Sequence, residues 1–363
     1  MKKIDLIAAA RPNFMKIAPL FRALSQEKWC ETRIVHTGQH YDANMSDWFF
    51  RDLGLPPPTV NLDVGSGSHA QQTGGVMIAY EKWCLENRPD WTIVVGDVNS
   101  TIATALASTK LGIRVAHLEA GLRSGDRSMP EEINRIATDS ISDLLWTPSQ
   151  DANDNLAREG VPSSRIDLVG NIMIDSLEMV RPAIDEALAH AKIGVAYGQY
   201  GVVTLHRPSN VDDPIKLAPL VRAILAITER CEIVFPVHPR TRQRLIEFGL
   251  WSELAGNARV KLLDPLGYIE FMSLVVHAAF VLTDSGGIQE ETTYLHVPCL
   301  TLRENTERPV TVTLGTNRLI TLASIDQNID AVFGGRWPTG VVPEKWDGRT
   351  ADRVVASLRA RLE

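Results

Sequence analysis

The feature that most limits what this chain can fold into is the regular alternation of short β-branched runs with helical stretches. Runs from Ile4 to Ala10, Thr32 to Thr37, Trp91 to Val95 and Val115 to Leu118 read as strands of a first half. Runs from Tyr200 to Leu205, Cys231 to Val237, Val260 to Leu263, Phe280 to Thr283 and Pro298 to Leu302 repeat the rhythm in a second. Strands separated by helices line up in parallel, and a parallel sheet is covered by helices on both faces. One covering helix is visible directly, because Leu217, Leu220, Val221, Ile224 and Ile227 fall on a single stripe. A chain of 363 residues suits two cores of ordinary size. The expected architecture is α/β, with two Rossmann-like domains and a cleft between them. Residues 1–171 form the first domain and residues 172–345 the second, and an amphipathic helix in residues 346–363 returns to the first.

The charge balance is 37 Lys and Arg against 44 Asp and Glu, a net of -7, without long runs of one sign. Duplex nucleic acid is therefore excluded as a partner, and any phosphate must be held by local donors such as helix N-termini and individual Arg or Lys. Cys30, Cys84, Cys231 and Cys299 are scattered without metal or redox spacing and read as buried, reduced thiols; no metal is expected. Arg11 and Pro12 interrupt the N-terminal apolar run before it makes a signal-peptide core, and no apolar stretch is long enough to span a membrane. A cytoplasmic protein without a membrane partner is the expectation.

In open parallel sheets ligands bind beyond the carboxyl ends of the strands, so the residues that end each strand matter most. The first strand ends at Arg11, the third at Gly96-Asp97 and the fourth at Glu119-Ala120-Gly121. In the second half the ends are His206-Arg207, His238 and Asp284-Ser285-Gly286-Gly287. Asp97 reads equally as a helix N-cap and as a functional carboxylate. Glu119 interrupts an apolar run that should be buried, where an unpaired charge is costly, and so reads as functional. His206 starts a loop and reads the same way, while His238, between two prolines, is open. Glu131 and Glu132 follow Pro130 and by themselves suit the first turn of a helix. A strand ending in Ser-Gly-Gly before a helix offers backbone amides to a diphosphate, with Glu291 placed for ribose hydroxyls. No Gly-x-Gly-x-x-Gly or Walker sequence follows a strand, so no nicotinamide or other cofactor is expected.

Taken in order, Ala10-Arg11-Pro12-Asn13-Phe14-Met15-Lys16, Gly96-Asp97, Glu119-Ala120-Gly121-Leu122-Arg123, Pro130-Glu131-Glu132-Ile133-Asn134-Arg135, Gly170-Asn171, His206-Arg207, residues 284–291 and Thr306-Glu307-Arg308-Pro309 resemble the non-hydrolysing UDP-N-acetylglucosamine 2-epimerases. The resemblance implies the fold shared with GT-B glycosyltransferases, a homodimer, and a UDP-sugar as the bound partner. It also implies the chemistry: UDP leaves C1 as the C2 proton is removed, giving a glycal, and UDP adds back while a proton arrives on the opposite face. On that footing Asp97, Glu119, Glu131 and His206 match catalytic positions. Arg11, Ser285, Gly286, Gly287 and Glu291 match binding positions, and Lys16, Arg135, His238 and Arg308 are assigned to binding with them.

Two departures bear on the substrate. The loop of residues 124–129 is shorter than in the enterobacterial-type enzymes, and Val310 stands where those have Glu. Gln39-His40-Tyr41-Asp42 and Gly65-Ser66-Gly67-Ser68-His69 look more like the surface-polysaccharide branch, whose members act on UDP-2,3-diacetamido-2,3-dideoxyglucuronate. A GT-B glycosyltransferase, a hydrolysing epimerase and a silent nucleotide-sugar sensor are the alternatives. The gathering of three carboxylates in the first half speaks against the first and the last.

Overall fold

The computed structural model describes residues 1–9, 11–38 and 53–362, without the side chains of Arg11 and Pro12. They form two compact units, Met1–Met179 with Glu344–Glu363, and Val180–Pro343. Residues Gln39, His40, Tyr41 and Asp42 of the branch-like motif lie outside the described residues.

The first unit is built on a parallel sheet of β1 (Lys2–Ala8), β2 (Cys30–His36), β3 (Val60–Asn61), β4 (Trp91–Val95), β5 (Arg114–Leu118), β6 (Leu144–Thr147) and β7 (Ile166–Leu168). Their order is β3-β2-β1-β4-β5-β6-β7. The direction of winding reverses between β1 and β4, so the connections leaving these two neighbours part to opposite faces and open a crevice at their carboxyl ends. The central strands are buried on both faces, as two helix layers require, and mostly by apolar side chains: Leu6 and Ile7, Ile93 and Val94, Val115 and Ala116 are all buried.

The helix Thr350–Arg359 packs on the helix Arg11–Leu24 of this unit. Asp175, in the helix Ile172–Met179, fixes its start: Oδ1 accepts from the Thr350 amide at 3.0 Å and Oδ2 from the Ala351 amide at 2.7 Å. A carboxylate there satisfies free amides and complements the helix dipole. Ser176 in turn donates to the Met15 carbonyl. These bonds bind the helix Ile172–Met179 to the first unit, so the chain divides after Met179 rather than near Asn171.

The second unit carries β8 (Tyr200–Thr204), β9 (Glu232–Pro236), β10 (Val260–Leu263), β11 (Phe280–Thr283), β12 (Cys299–Thr301) and β13 (Asn317–Leu319). The order β10-β9-β8-β11-β12-β13 places the reversal between β8 and β11. The helix Pro214–Ile227 begins at Asp213, whose side chain accepts from the Ile215 amide, and its expected apolar stripe is buried in full. All four cysteines are buried and unbridged. Among the described residues no helix is long and apolar enough to cross a membrane, and no three His, Cys, Asp or Glu side chains are grouped to hold a metal ion.

Candidate functional site

The crevice of the first unit collects charge. Glu119 follows β5 and is only 5% exposed. Its Oε2 accepts from Lys16 Nζ at 2.5 Å, and its Oε1 is buried with no hydrogen-bond partner among the described residues. Gly96, after β4, has φ +70°, and a Cβ there would stand 3.2 Å from Lys16 Nζ and 3.6 Å from Glu119 Oε2. A side chain at this position would therefore press on the ion pair as well as strain the turn. Asn13 donates to the Val95 carbonyl at 2.9 Å and closes the end of β4.

Asp97 and the turn around it are held by the helix Pro130–Ile141. Arg135 Nη2 donates to Asp97 Oδ2 at 2.7 Å, and Asn134 Nδ2 donates to the Asp97 carbonyl at 2.9 Å. Arg135 also pairs with Glu132. Glu132 accepts from the amides of Ser124 and Gly125 and from the Ser124 hydroxyl, each at 3.0 Å, which pins the short loop of residues 124–129. Burial alone would raise the Glu132 carboxyl, but those amides and Arg135 hold it below the usual carboxylate range. Pro130 stands at the start of the helix, as its sequence implies.

In the second unit Asp284, fully buried after β11, is the hub. It accepts from the amides of His206 and Arg207 and from the Asn210 side chain, and it faces His206 Nδ1 at 3.0 Å. Burial would raise it, yet His206 and these donors keep it below its ordinary value. The His206 side chain is 38% exposed, with the His238 ring 5.6 Å away. His238 caps the helix Pro239–Glu247, its Nδ1 accepting from the Arg240 amide at 3.2 Å. Burial first, and then the charge of His206, lower its basicity.

At residues 285–287 the Ser285 amide is taken by the Thr283 hydroxyl at 2.9 Å. The amides of Gly286 and Gly287 make no hydrogen bond among the described residues. A Cβ on Gly286 would lie 2.5 Å from Glu307 Oε1 and 3.0 Å from Arg308 Nη1, so only glycine lets this turn rest on that ion pair. Arg308 also pairs with Glu290 at 2.9 Å, and Arg303 with Glu307 at 2.9 Å. Glu291 accepts from the Tyr268 hydroxyl at 2.7 Å; burial pushes its carboxyl up to about 7 despite that bond, with the neighbouring Glu290 adding to the rise.

The structure thus brings Lys16, Asp97, Glu119 and Arg135 together in one unit. In the other it gathers His206 and His238, and Gly286, Gly287, Glu291 and Arg308. Glu131 is exposed and makes no hydrogen bond or ion pair among the described residues, and the side chain of Arg11 is not described. Ser68 caps the helix His69–Asn87 in a reciprocal bond with Gln71, so Gly65-Ser66-Gly67-Ser68 leads into a helix start. The partners Asp139, Tyr268, Arg303 and Glu307 were not signalled by strand ends.

A family profile described as UDP-N-acetylglucosamine 2-epimerase matches residues 22–359. The UDP-N-acetylglucosamine 2-epimerase of Methanocaldococcus jannaschii is 46% identical over 323 residues, 88% of each chain. The UDP-2,3-diacetamido-2,3-dideoxy-D-glucuronate 2-epimerase of Pseudomonas aeruginosa is 43% identical over 323 residues, again 88% of each. Among solved structures, that of the M. jannaschii enzyme in complex with UDP-GlcNAc and UDP matches with a TM-score of 0.88 at 42% identity, over 99% of both chains.

Proposed function

The chain belongs to the UDP-N-acetylglucosamine 2-epimerase family, and from that premise we propose that it inverts C2 of UDP-N-acetylglucosamine to give UDP-N-acetylmannosamine without net hydrolysis. The proposal rests on Glu119, a buried carboxylate with one oxygen tied to Lys16 and the other without a partner among the described residues, at the carboxyl end of a central strand. A free, desolvated carboxylate oxygen in a crevice is suited to taking and returning a proton.

The C2 proton has no adjacent carbonyl to acidify it. Its removal must be coupled to loss of the anomeric diphosphate: the C2–H electron pair forms the C1–C2 double bond while the C1–O pair leaves with UDP. Re-addition of UDP to C1 and delivery of a proton to the other face of C2 complete the inversion. Two proton-transfer positions are therefore needed. Glu119 is one; Asp97, oriented by Arg135, and Glu131 compete for the other. The second unit carries a set of groups suited to a UDP moiety. These are the Gly286 and Gly287 amides, His206 over Asp284, and Arg308 for the diphosphate, with Glu291 for the ribose.

A second substrate has support of its own. The P. aeruginosa relative that acts on UDP-2,3-diacetamido-2,3-dideoxy-D-glucuronate is almost as similar as the M. jannaschii enzyme. A homodimer in the cytoplasm belongs to the same reading. Proton NMR of UDP-N-acetylglucosamine with the enzyme in deuterated water tests it: the manno isomer appears, carrying deuterium at C2. No change with this sugar but turnover of the diacetamido uronate moves the chain to that substrate, and free N-acetylmannosamine with UDP identifies a hydrolysing enzyme instead.

A further inference from the structure

Glu119 has φ +69°, a left-handed conformation that a residue with a Cβ holds only where its surroundings impose it. The groups that impose it lie beneath the crevice. His117, two residues earlier and fully buried, directs Nε2 at the Gly96 carbonyl at 2.8 Å and Nδ1 at Asp139 Oδ1 at 2.6 Å. The other oxygen of Asp139 accepts from the Gly121 amide at 3.0 Å and from Arg123 Nη1 at 2.7 Å. One buried carboxylate therefore grips residues 117 and 121, on either side of Glu119, and reaches the turn that carries Asp97 through the His117 ring.

We infer that His117 and Asp139 are positioning residues for proton transfer at C2, holding Glu119 in its left-handed turn and fixing the Gly96-Asp97 turn beside it. This rests on the reaction proposed above. A pair kept only for stability is a poor explanation, since an apolar pair of similar volume generally stabilises a core as well or better without desolvating charge. Here the His117 ring ends on the Gly96 carbonyl, one residue before Asp97, and the Asp139 carboxylate on the Gly121 amide, two residues after Glu119. Burial would by itself raise the Asp139 carboxyl, but His117 and Arg123 hold it below its ordinary value, so it stays an acceptor on both oxygens.

His117, Asp139, Gly96, Gly121 and Arg123 all belong to the first unit and the groups proposed for UDP to the second, which gives the test its contrast. Asp139→Asn keeps the shape and removes the charge; His117→Gln still reaches the Gly96 carbonyl but not Asp139. Each is expected to lower kcat about 10- to 100-fold while KM for the UDP-sugar and Kd for UDP, by calorimetry, stay within about threefold, with a cooperative melt retained. Wild-type kcat in both variants, or a loss of kcat that only follows the folded fraction or is matched by weaker UDP binding, overturns the inference and leaves the reaction standing. A wild-type enzyme that turns over neither UDP-sugar overturns the reaction and the inference together.

Discussion

The helices Pro130–Ile141 and Pro214–Ile227 both begin on proline and both lie against a parallel sheet, yet they bury opposite chemistry. The second buries Leu217, Leu220, Val221, Ile224 and Ile227. The first buries Glu132, Arg135, Thr138 and Asp139 and leaves Ile133 exposed. Apolar burial stabilises in proportion to area and asks little of geometry. Buried charge is tolerated only where each group finds a matched partner, and here the partners are the loop of residues 124–129, Asp97, His117 and the Gly121 amide. A protein departs from the apolar default where a site needs support. One helix holds a core together, and the other braces the groups proposed for proton transfer.

The largest expected effect is on the group that the charged face supports. Glu119→Gln keeps the shape and removes the proton-transfer oxygen, so turnover should fall by at least about 10²- to 10⁴-fold while UDP affinity and the melting curve are retained. Steady-state rates alongside calorimetry decide it. Near-normal turnover would mean that the charged face braces a group the reaction does not use, and the contrast between the helices would lose its functional half.

The apolar helix should respond the other way. Ile224→Ala leaves a cavity in the second core and is expected to cost about 2–5 kcal/mol of stability, with kcat per folded molecule unchanged. Denaturant unfolding of the second unit gives the first quantity and active-site titration the second. A fall in kcat per folded molecule larger than the fall in stability explains would show that this helix, too, sets the site.

The same contrast explains what was legible in the sequence. Strands buried on both faces are unbroken apolar runs, and β4, β10 and β11 begin and end where the sequence places them. β3, β6, β7 and β13 have two to four residues and carry no pattern that separates a strand from the end of a helix. Glu119 stood out because a carboxylate interrupts a run that must be buried. Asp139 did not, since a charged residue in a helix ordinarily lies on its solvated face. The signal was present in the spacing of Glu132, Arg135 and Asp139, which puts all three on one side, but its direction is set by strand ends distant in sequence. Tyr268 was hidden for the same reason, its partner Glu291 being in another helix.

The smallest effect concerns a buried carboxylate that lacks such support. Glu132 is surrounded by amides and a guanidinium and sits below its ordinary value of 4.5, whereas Glu291 has one direct donor among the described residues, Tyr268, and is pushed up to about 7. The signs follow. Glu132 is harder to protonate folded than unfolded, so its stabilisation is present above 4.5 and is lost as pH falls through its lowered folded value. Glu291 holds its proton more tightly folded than unfolded, so its contribution is full below 4.5 and fades as pH rises through about 7. Ribose hydroxyls need an acceptor, so UDP affinity should rise several-fold between about pH 6 and 8 as Glu291 ionises, even as the unliganded protein loses that part of its stability. Glu291→Gln should flatten both curves, read by calorimetry and by melting across the same range. Because the two trends oppose each other, a general effect of pH on folding cannot produce both, and a UDP affinity that falls with pH would take Glu291 out of the ribose site.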